Sequence, residues 1–423
     1  MKKILMYCFL AASFTGVAQT TTTTTAAPPA AKEWDVSLYG FIRTDYIWDT
    51  RKSAQVREYN LNLYPLDVAL DANGKDMNAV GQSNFLSVVS RLGVKVKGPD
   101  VWGAKMSGTL EGDFFGNTES SIGLLRLRHA YVSMDWSKTS LTMGQTWYPT
   151  FIPEVFPGVA NFSTGIMFNP FGWASQVKLK QNFTKEFSFA FTAYKEREFT
   201  ATGVTGATQN AASINSAIPS LNGVFQFKGK NLLLGAGLEY KSMQPLTVSA
   251  TNLVTTEKVN SSTLFGYAKY ANDKFSIKAY GISGGNLYNL VMLGGFTGSV
   301  NAAGIQTYDP TKTTSFWVDI ASNGKSIAPG LFFGTTKNNG SSNAAGTMAQ
   351  IYMRGLSTTG TRVVDNVWRV SGRVDFKKNK FRVTPELELT SATWGDADLH
   401  GKATTNLKDV SYFRAMVSCV YSF

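Results

Sequence analysis

The sequence predicts an all-β fold: a transmembrane, outer-membrane β-barrel of about 16 antiparallel strands. Three observations favour it: a last strand that ends in an aromatic residue, strand-length segments in which apolar and charged residues alternate, and an N-terminal export signal. Hydropathy adds little. The mean hydropathy is −0.10, and no segment after the export signal has the roughly 18 apolar residues that a spanning helix needs.

The last strand alternates up to the terminal Phe423. One face is apolar, and it consists of Phe413, Ala415, Val417, Cys419, Tyr421 and Phe423. The other face begins at Arg414 and is mostly small or polar. Outer-membrane strands have this pattern because one face contacts lipid and the other faces a polar lumen.

The N-terminus predicts export. In residues 1–18, Lys2 and Lys3 precede an apolar stretch, and Gly16-Val17-Ala18 offers small residues for cleavage, as in a secretory signal peptide. Residues 19–33 form a low-complexity Thr/Pro/Ala tether, which we expect to be a disordered spacer; a periplasmic arm or a modification site is the alternative. Residues 34–423 are then one barrel domain. Cleavage would leave Cys419 as the only cysteine, so no disulfide is expected within the chain.

Turn and loop signals give the strand count. Seven short polar or Gly-bearing turns lie at 97–102, 137–139, 182–185, 228–230, 272–274, 323–325 and 377–380. Eight longer segments lie near 49–84, 116–123, 148–172, 199–218, 243–260, 284–314, 338–365 and 395–409. Seven turns and eight loops join sixteen strands, which places both termini on the periplasmic side. Strands twelve and thirteen, within 284–336, depend on short runs only.

Alternation within the strands predicts which face meets lipid. In the first strand Leu38 and Ile42 share one face, and Arg43 and Asp45 lie on the other. Lys or Arg facing lipid at mid-membrane costs about 2–4 kcal/mol, so we expect the charged faces to point inward. A soluble sandwich would reverse this assignment, but the export signal and the terminal Phe423 favour the barrel.

Two local features refine the pattern. The alternation changes phase in the fourth strand, which predicts a β-bulge near His129. Aromatic residues near strand ends are typical of interfacial girdles, and they are Tyr46, Trp48, Trp102, Trp136, Trp147, Tyr148, Trp173, Trp368 and Trp394.

Sixteen strands enclose an aqueous channel rather than a packed core. The third long loop, 148–172, is unusual because it is apolar and contains Pro149, Pro153, Pro157 and Pro170. An exposed apolar patch tends to find a surface, so we expect this loop to fold into the barrel and narrow it. Packing on the outer rim or at a subunit contact is the alternative.

The predicted pore-lining and constriction residues are the charged residues of the inner face and of this loop. They are Arg43, Asp45, Arg91, Lys95, Glu111, Arg126, Arg128, Glu154, Lys178, Arg369, Arg373 and Arg414. Lys180 belongs to the same inward basic set, which the loop opposes with the single acid Glu154. The formal charge of +12, less Lys2 and Lys3, leaves +10.

Basic rings favour anions, so small carboxylates or phosphates are the expected solutes. The alternative is that much of the excess charge lies in basic turns, such as Lys377, Lys378 and Lys380, near anionic membrane components.

Several short motifs resemble DcaP-like porins. They are Gly40-Phe41-Ile42-Arg43 with Asp45, Asp49-Thr50-Arg51, Ser90-Arg91-Leu92-Gly93, Leu125-Arg126-Leu127-Arg128-His129-Ala130-Tyr131 and Gly144-Gln145-Thr146-Trp147. The stretch from Gly330 to Asn338 is similar to Bacteroidetes members of that group. The resemblance implies a homotrimer of sixteen-stranded pores for small, often anionic, solutes. The Thr/Pro tether departs from the helical N-terminal arm that some members carry.

Other functions have less support in the sequence. Catalysis would require His129 or His400 beside a suitable partner, and a loop cation site would have to use Asp396, Asp398 and His400. We therefore expect no enzyme activity, no cofactor, no metal site and no nucleic-acid partner. The remaining alternative is an adhesin or receptor barrel that acts through its outer loops and has a lumen blocked by them.

Overall fold

The computed structural model describes residues 34–204 and 210–423. The predicted signal peptide and tether, residues 1–18 and 19–33, lie outside the described residues. Within the described ranges, sixteen antiparallel strands close into one barrel. The strand predicted second has two parts, both paired with the first strand.

The barrel strands, numbered along the chain, have the following bounds. They are β1 Asp35–Asp49, β2 Gln82–Leu86 with Arg91–Lys97, β3 Lys105–Asp113, β4 Arg126–Asp135, β5 Thr139–Trp147, β6 Trp173–Asn182, β7 Phe187–Glu198, β8 Ser220–Lys228, β9 Leu232–Met243, β10 Val259–Ala271, β11 Phe275–Gly285, β12 Lys312–Ser322, β13 Ile327–Gly340, β14 Arg362–Lys378, β15 Phe381–Ala397 and β16 Ala403–Ser422. The predicted count is confirmed, including β12 and β13.

All seven predicted turns overlap the observed ones, and they lie together at what we call the turn end. A typical one is the turn after β10, where the Asn272 side chain accepts hydrogen bonds from the backbone N–H groups of Lys274 and Phe275. The opposite, loop end carries loop 1 (50–81), loop 2 (114–125), loop 3 (148–172), loop 4 (199–219, described apart from 205–209), loop 5 (244–258), loop 6 (286–311), loop 7 (341–361) and loop 8 (398–402). Loop 8 is shorter than predicted because β15 and β16 pair as far as Ala397 and Ala403.

Smaller elements lie within the loops. The strands Ser53–Val56 and Leu61–Pro65 form a hairpin in loop 1, and Gly294–Val300, Gln306–Pro310 and Ile351–Arg354 form a sheet of loops 6 and 7. The helical segments are α1 Ala211–Asn215 and the short 3₁₀ turns Glu119–Ser121, Leu287–Leu290 and Met348–Gln350. No helix among the described residues is long and apolar enough to span a bilayer.

The barrel closes between β1 and β16. Their register runs from Phe41 opposite Ser422 to Asp49 opposite Arg414. The terminal Phe423 packs over Gly40, where an added Cβ would lie 2.8 Å from the Phe423 ring and 2.2 Å from the Arg91 carbonyl oxygen. The terminal aromatic therefore fits beside a residue that has no side chain.

The predicted partition of the two faces is confirmed. Leu38 and Ile42 are 68% and 64% exposed on the outside, whereas Arg43 and Asp45 are 8% and 1% exposed. The bulge near His129 is also confirmed, because Glu111 pairs with His129 while Gly112 pairs with Leu127.

The predicted aromatic girdle is only partly correct. Trp48 and Trp102 are exposed on the barrel. Trp173 and Trp394 instead belong to an interior apolar cluster, and Trp147 packs against it. The apolar loops inside the barrel bury these indole rings.

The lipid-facing assignment predicts a position-dependent cost along β13. Leu331 and Asn339 both lie on its outer face, the first near the middle of the predicted membrane span and the second near the loop end. Leu331→Arg should lower the free energy of unfolding by about 2–4 kcal/mol, and Asn339→Arg by only about 0–1 kcal/mol. Denaturant unfolding in lipid vesicles measures both, and equal costs would contradict the assignment.

Candidate pore constriction

Loop 3 leaves the wall after β5 and crosses the interior of the barrel. On the far wall, the Tyr280 hydroxyl donates to the Thr150 carbonyl oxygen at 2.8 Å. The Trp317 indole N–H donates to the Asn169 side chain at 3.1 Å. Since Tyr280 belongs to β11 and Trp317 to β12, the loop spans the lumen before it returns to β6. Its predicted inward folding is confirmed.

Loop 3 stays inside because its side chains are apolar. Its buried members are Tyr148, Phe151, Ile152, Val155, Phe162, Ile166, Met167, Phe168 and Phe171. Four rings, which we call the aromatic column, stack in the order Trp173, Trp147, Phe151 and Phe156, with centroid distances of 4.5, 4.0 and 5.8 Å. Such ring pairs contribute about 0.5–1.5 kcal/mol each beyond their burial.

Loop 1 also enters the lumen, which the sequence reasoning missed. The Asn62 side chain donates to Glu388 and to the Tyr412 hydroxyl, and accepts from the Asn161 amide of loop 3. Segment 49–84 looked small and polar overall, but its short run Leu61-Asn62-Leu63-Tyr64 alternates like a strand and could have been noticed.

The outer part of loop 1 is closed by an ion pair between Arg51 and Asp76. Partial burial opposes ionisation of the Asp76 carboxyl, but hydrogen bonds from Arg51 and from the backbone N–H groups of Asn78 and Ala69 hold the pKa of Asp76 below its ordinary value. The same contacts therefore favour the ionised carboxylate that pairs with Arg51.

Loop 6 is the third loop inside the barrel. Its residues Leu287 and Leu290 to Leu293 are fully buried. The Lys241 ammonium of β9 donates to the Asn286 carbonyl oxygen at 2.6 Å and to the Asn289 side chain at 2.8 Å. The Phe171 backbone N–H donates to the Leu290 carbonyl oxygen at 3.0 Å, which joins loop 6 to loop 3.

Arginines of the wall hold these loops in place. Arg369 of β14 donates to the Ile166 carbonyl oxygen of loop 3 at 2.8 Å and to the Asn62 carbonyl oxygen of loop 1 at 3.0 Å. Its Nε lies 3.2 Å from Glu388. Arg43 donates to the Ala160 carbonyl oxygen at 2.6 Å.

A ladder of ion pairs follows β2, β3, β4 and β7. Arg126 contacts Asp113 at 2.7 Å and Glu198 at 2.9 Å. Arg128 contacts Glu111 at 2.8 Å and Asp113 at 3.1 Å. The Arg128 guanidinium also lies 4.3 Å from the centroid of Trp173, so Arg128 packs against the first ring of the aromatic column.

The structure places all the sequence-predicted wall residues on the inner side, and Glu154 on loop 3. Arg126, Arg128, Arg369 and Arg414 have at most 2% of their surface exposed. Further ion pairs join Arg43 to Asp45, Arg373 to Asp319 and Arg414 to Asp49. Carboxylates of the wall therefore neutralise most of these arginines, in addition to the single acid Glu154 that loop 3 contributes.

Lysines nearer the turn end differ from these arginines. No carboxylate in the described part of the chain lies within 4 Å of the ammonium groups of Lys95, Lys178, Lys180, Lys269 or Lys278. Lys269 and Lys278 were not singled out from the sequence, although each lies two residues from an inward tyrosine, Tyr267 and Tyr280. Because residues two apart in a strand lie on the same face, this spacing could have identified both lysines as inward-facing.

The weaker sequence candidates have ordinary structural roles. Asp398 accepts backbone hydrogen bonds within loop 8, Asp396 accepts from Arg362, and the His400 ring contacts the Ser341 carbonyl oxygen. Their side chains engage different partners. The His129 ring contacts the Thr146 hydroxyl at 3.0 Å, beside Glu111.

Comparison with known proteins agrees with this geometry. The sequence model of the DcaP outer membrane protein family matches residues 11–295, more than half of the 423-residue chain. The chain belongs to the DcaP outer membrane protein family. The family resemblance noted in the motifs of β1, β2, β4 and β5 is thereby confirmed. No curated protein sequence matches the chain.

Solved porin structures share the fold of this DcaP-family chain. The outer membrane channel DcaP of Acinetobacter baumannii is 17% identical with a TM-score of 0.66, covering 94% of this chain and 100% of its own. The anion-selective porin from Comamonas acidovorans is 13% identical with a TM-score of 0.53, covering 92% and 100%. OmpT of Vibrio cholerae is 12% identical with a TM-score of 0.53, covering 93% and 99%. The chain is thus an outer membrane protein of the DcaP family with the barrel fold of these solved structures.

The contacts of Arg369 predict that it orders two loops at once. Arg369→Met would leave Glu388 buried without its ion partner and would remove the donors to loops 1 and 3. Breaking a buried pair in this way costs about 3–5 kcal/mol. Amide hydrogen exchange at residues 61–65 and 160–168 should therefore become faster in this DcaP-family variant.

Lys337→Gln on the outer face is the control, because the Lys337 side chain is 58% exposed and lies 3.8 Å from Asp365. Ion pairs of exposed side chains contribute about 0–1 kcal/mol. Unchanged protection of both loops in Arg369→Met would show that Arg369 does not hold them.

Proposed function

We propose that the protein is a passive diffusion channel for small hydrophilic solutes in the Gram-negative outer membrane. The observation that carries the proposal is the closed sixteen-stranded barrel whose outer face is apolar and whose inner face is charged. A barrel of this size is wide enough for an aqueous passage. Loop 3, assisted by loops 1 and 6, would set the width of that passage.

We further propose that the passage favours anions. Most inner arginines are neutralised by neighbouring carboxylates, so they contribute little net field. The inner-face lysines without ion partners, Lys95, Lys178, Lys180, Lys269 and Lys278, supply the uncompensated positive charge. Fixed cations at a narrow point favour anions, and Glu154 is the carboxylate that loop 3 adds. Small carboxylates and phosphates are the proposed solutes, with outer-membrane lipid around the barrel.

Targeting and assembly follow from the sequence and the family resemblance. We propose export through a signal peptide at residues 1–18, a tether at 19–33 and a homotrimer of barrels, as the resemblance to DcaP-like porins implies. The Gly330–Asn338 stretch further suggests a Bacteroidetes-type member of that group. The exposed apolar band of the barrel supports membrane insertion and leaves surface for subunit contacts. Native mass spectrometry in detergent would give the number of subunits.

The protein could instead act as an adhesin or receptor barrel. The observation that favours this second candidate is the filling of the loop-end half of the lumen by loops 1, 3 and 6. A receptor would conduct negligibly in a planar bilayer, whereas a channel would conduct in discrete steps.

Reversal potentials test the anion preference. Purified protein in planar bilayers under a potassium chloride gradient should give a reversal potential shifted toward the chloride equilibrium value, because the uncompensated lysines attract chloride. A shift toward the potassium value would contradict the preference but leave the channel intact. No conductance at all would favour the receptor. Liposome swelling with sugars and dicarboxylates of graded size would then give the size limit.

A further inference from the structure

Loop 3 separates two cavities inside the barrel. One, of about 160 Å³, lies between loop 3 and strands β6 to β10, and Lys178 and Lys180 line it. The other, of about 350 Å³, lies between loop 3 and the wall that carries Arg43, Arg91 and Arg382. We call them the lysine side and the arginine side. Residues Trp147, Phe151 and Pro153 line both cavities.

The partition between the two sides is the aromatic column. Its stacked rings are fixed at both ends: the Arg128 guanidinium lies 4.3 Å from the centroid of Trp173, and the Lys278 ammonium lies 5.4 Å from that of Phe156. Lys278 also donates to the Phe156 carbonyl oxygen at 3.0 Å. Because the aromatic column contacts both sides of the barrel wall, it divides the lumen at a fixed position.

The arginine side has little uncompensated charge. Arg43 is bound to Asp45, Arg128 to Glu111 and Asp113, and the Arg91 Nε lies 3.5 Å from Glu111. Arg382 lies 3.9 Å from Asp375. A neutralised arginine binds a passing anion less strongly, because its field is already directed at the carboxylate that it contacts.

The lysine side is different in both charge and lining. Lys178 and Lys180 follow each other along the inner face of β6, and Glu154 is the acid that lines the same cavity. Around them are neutral polar groups suited to a partly dehydrated solute: Thr192, Asn222 and Gln226.

We propose that anions cross the level of loop 3 on the lysine side, with Lys178 and Lys180 as the residues that determine charge selectivity. The arginine side is then a supporting wall for loops 1 and 3. This inference rests on the proposed channel function and adds to it the route and the selecting residues.

Charge neutralisation tests the route. Lys178→Gln with Lys180→Gln should lower the chloride-to-potassium permeability ratio several-fold, measured from reversal potentials. Lys180→Gln alone should also lower the ratio, and Arg382→Gln is its matched comparison, because it too removes one inner-face charge near the turn end, on the arginine side, and should change the ratio much less. The heat-dependent shift in gel mobility confirms that each variant forms a barrel.

Covalent labelling gives a second measurement in a Cys419→Ser background. A negatively charged methanethiosulfonate reagent should reduce current through Lys180→Cys strongly, and current through Val159→Cys, which lines the arginine side, only slightly.

The outcomes separate this inference from the channel function. If the wild type does not conduct, the channel proposal itself fails. If it conducts and prefers anions, but the lysine pair leaves the ratio unchanged or Arg382→Gln changes it more, the route is wrong and the channel remains. Stronger block at Val159→Cys than at Lys180→Cys would also overturn the route.

Discussion

The exclusion of charge from hydrocarbon is the constraint on which the rest of the structure depends. Strand side chains alternate between two faces, so every charged residue in a membrane strand has to point either into lipid or into the lumen. In β1 this choice turns Arg43 and Asp45 inward and Leu38 and Ile42 outward. The same rule applied to sixteen strands concentrates charge on a single inner wall.

A wall that carries so many charges near buried loops has to pair them. Burying an unpaired ion costs several kcal/mol, and the inner arginines accordingly contact carboxylates of the inner wall, as Arg126 contacts Asp113. Guanidinium groups have donors to spare after one ion pair. Arg369 uses its remaining donors on carbonyl oxygens of loops 1 and 3, so the charges that face away from lipid also position the loops that fill the lumen.

Our proposals assign two different roles to residues that appear in the sequence as one basic set. The arginines are largely paired with carboxylates, whereas Lys178 and Lys180 lie on the inner face without a carboxylate within 4 Å among the described residues. Arginine suits the first role because its planar fork holds a carboxylate with two bonds, and lysine suits the second because it is a compact, hydrated charge. Net charge alone would have assigned selectivity to both.

The sequence by itself determined the barrel, because alternation, short turns and the terminal Phe423 are local patterns that need no knowledge of distant contacts. It also determined the bulge near His129 and the inward folding of loop 3, since a phase change and an apolar loop are visible in the chain. Only the tertiary structure decided which arginines are paired, that Asn62 brings loop 1 inside, and that Trp173 and Trp394 face inward. Several of these contacts join residues that are hundreds of positions apart, such as Asn62 and Glu388. No local sequence pattern records which distant side chains the closed barrel brings together.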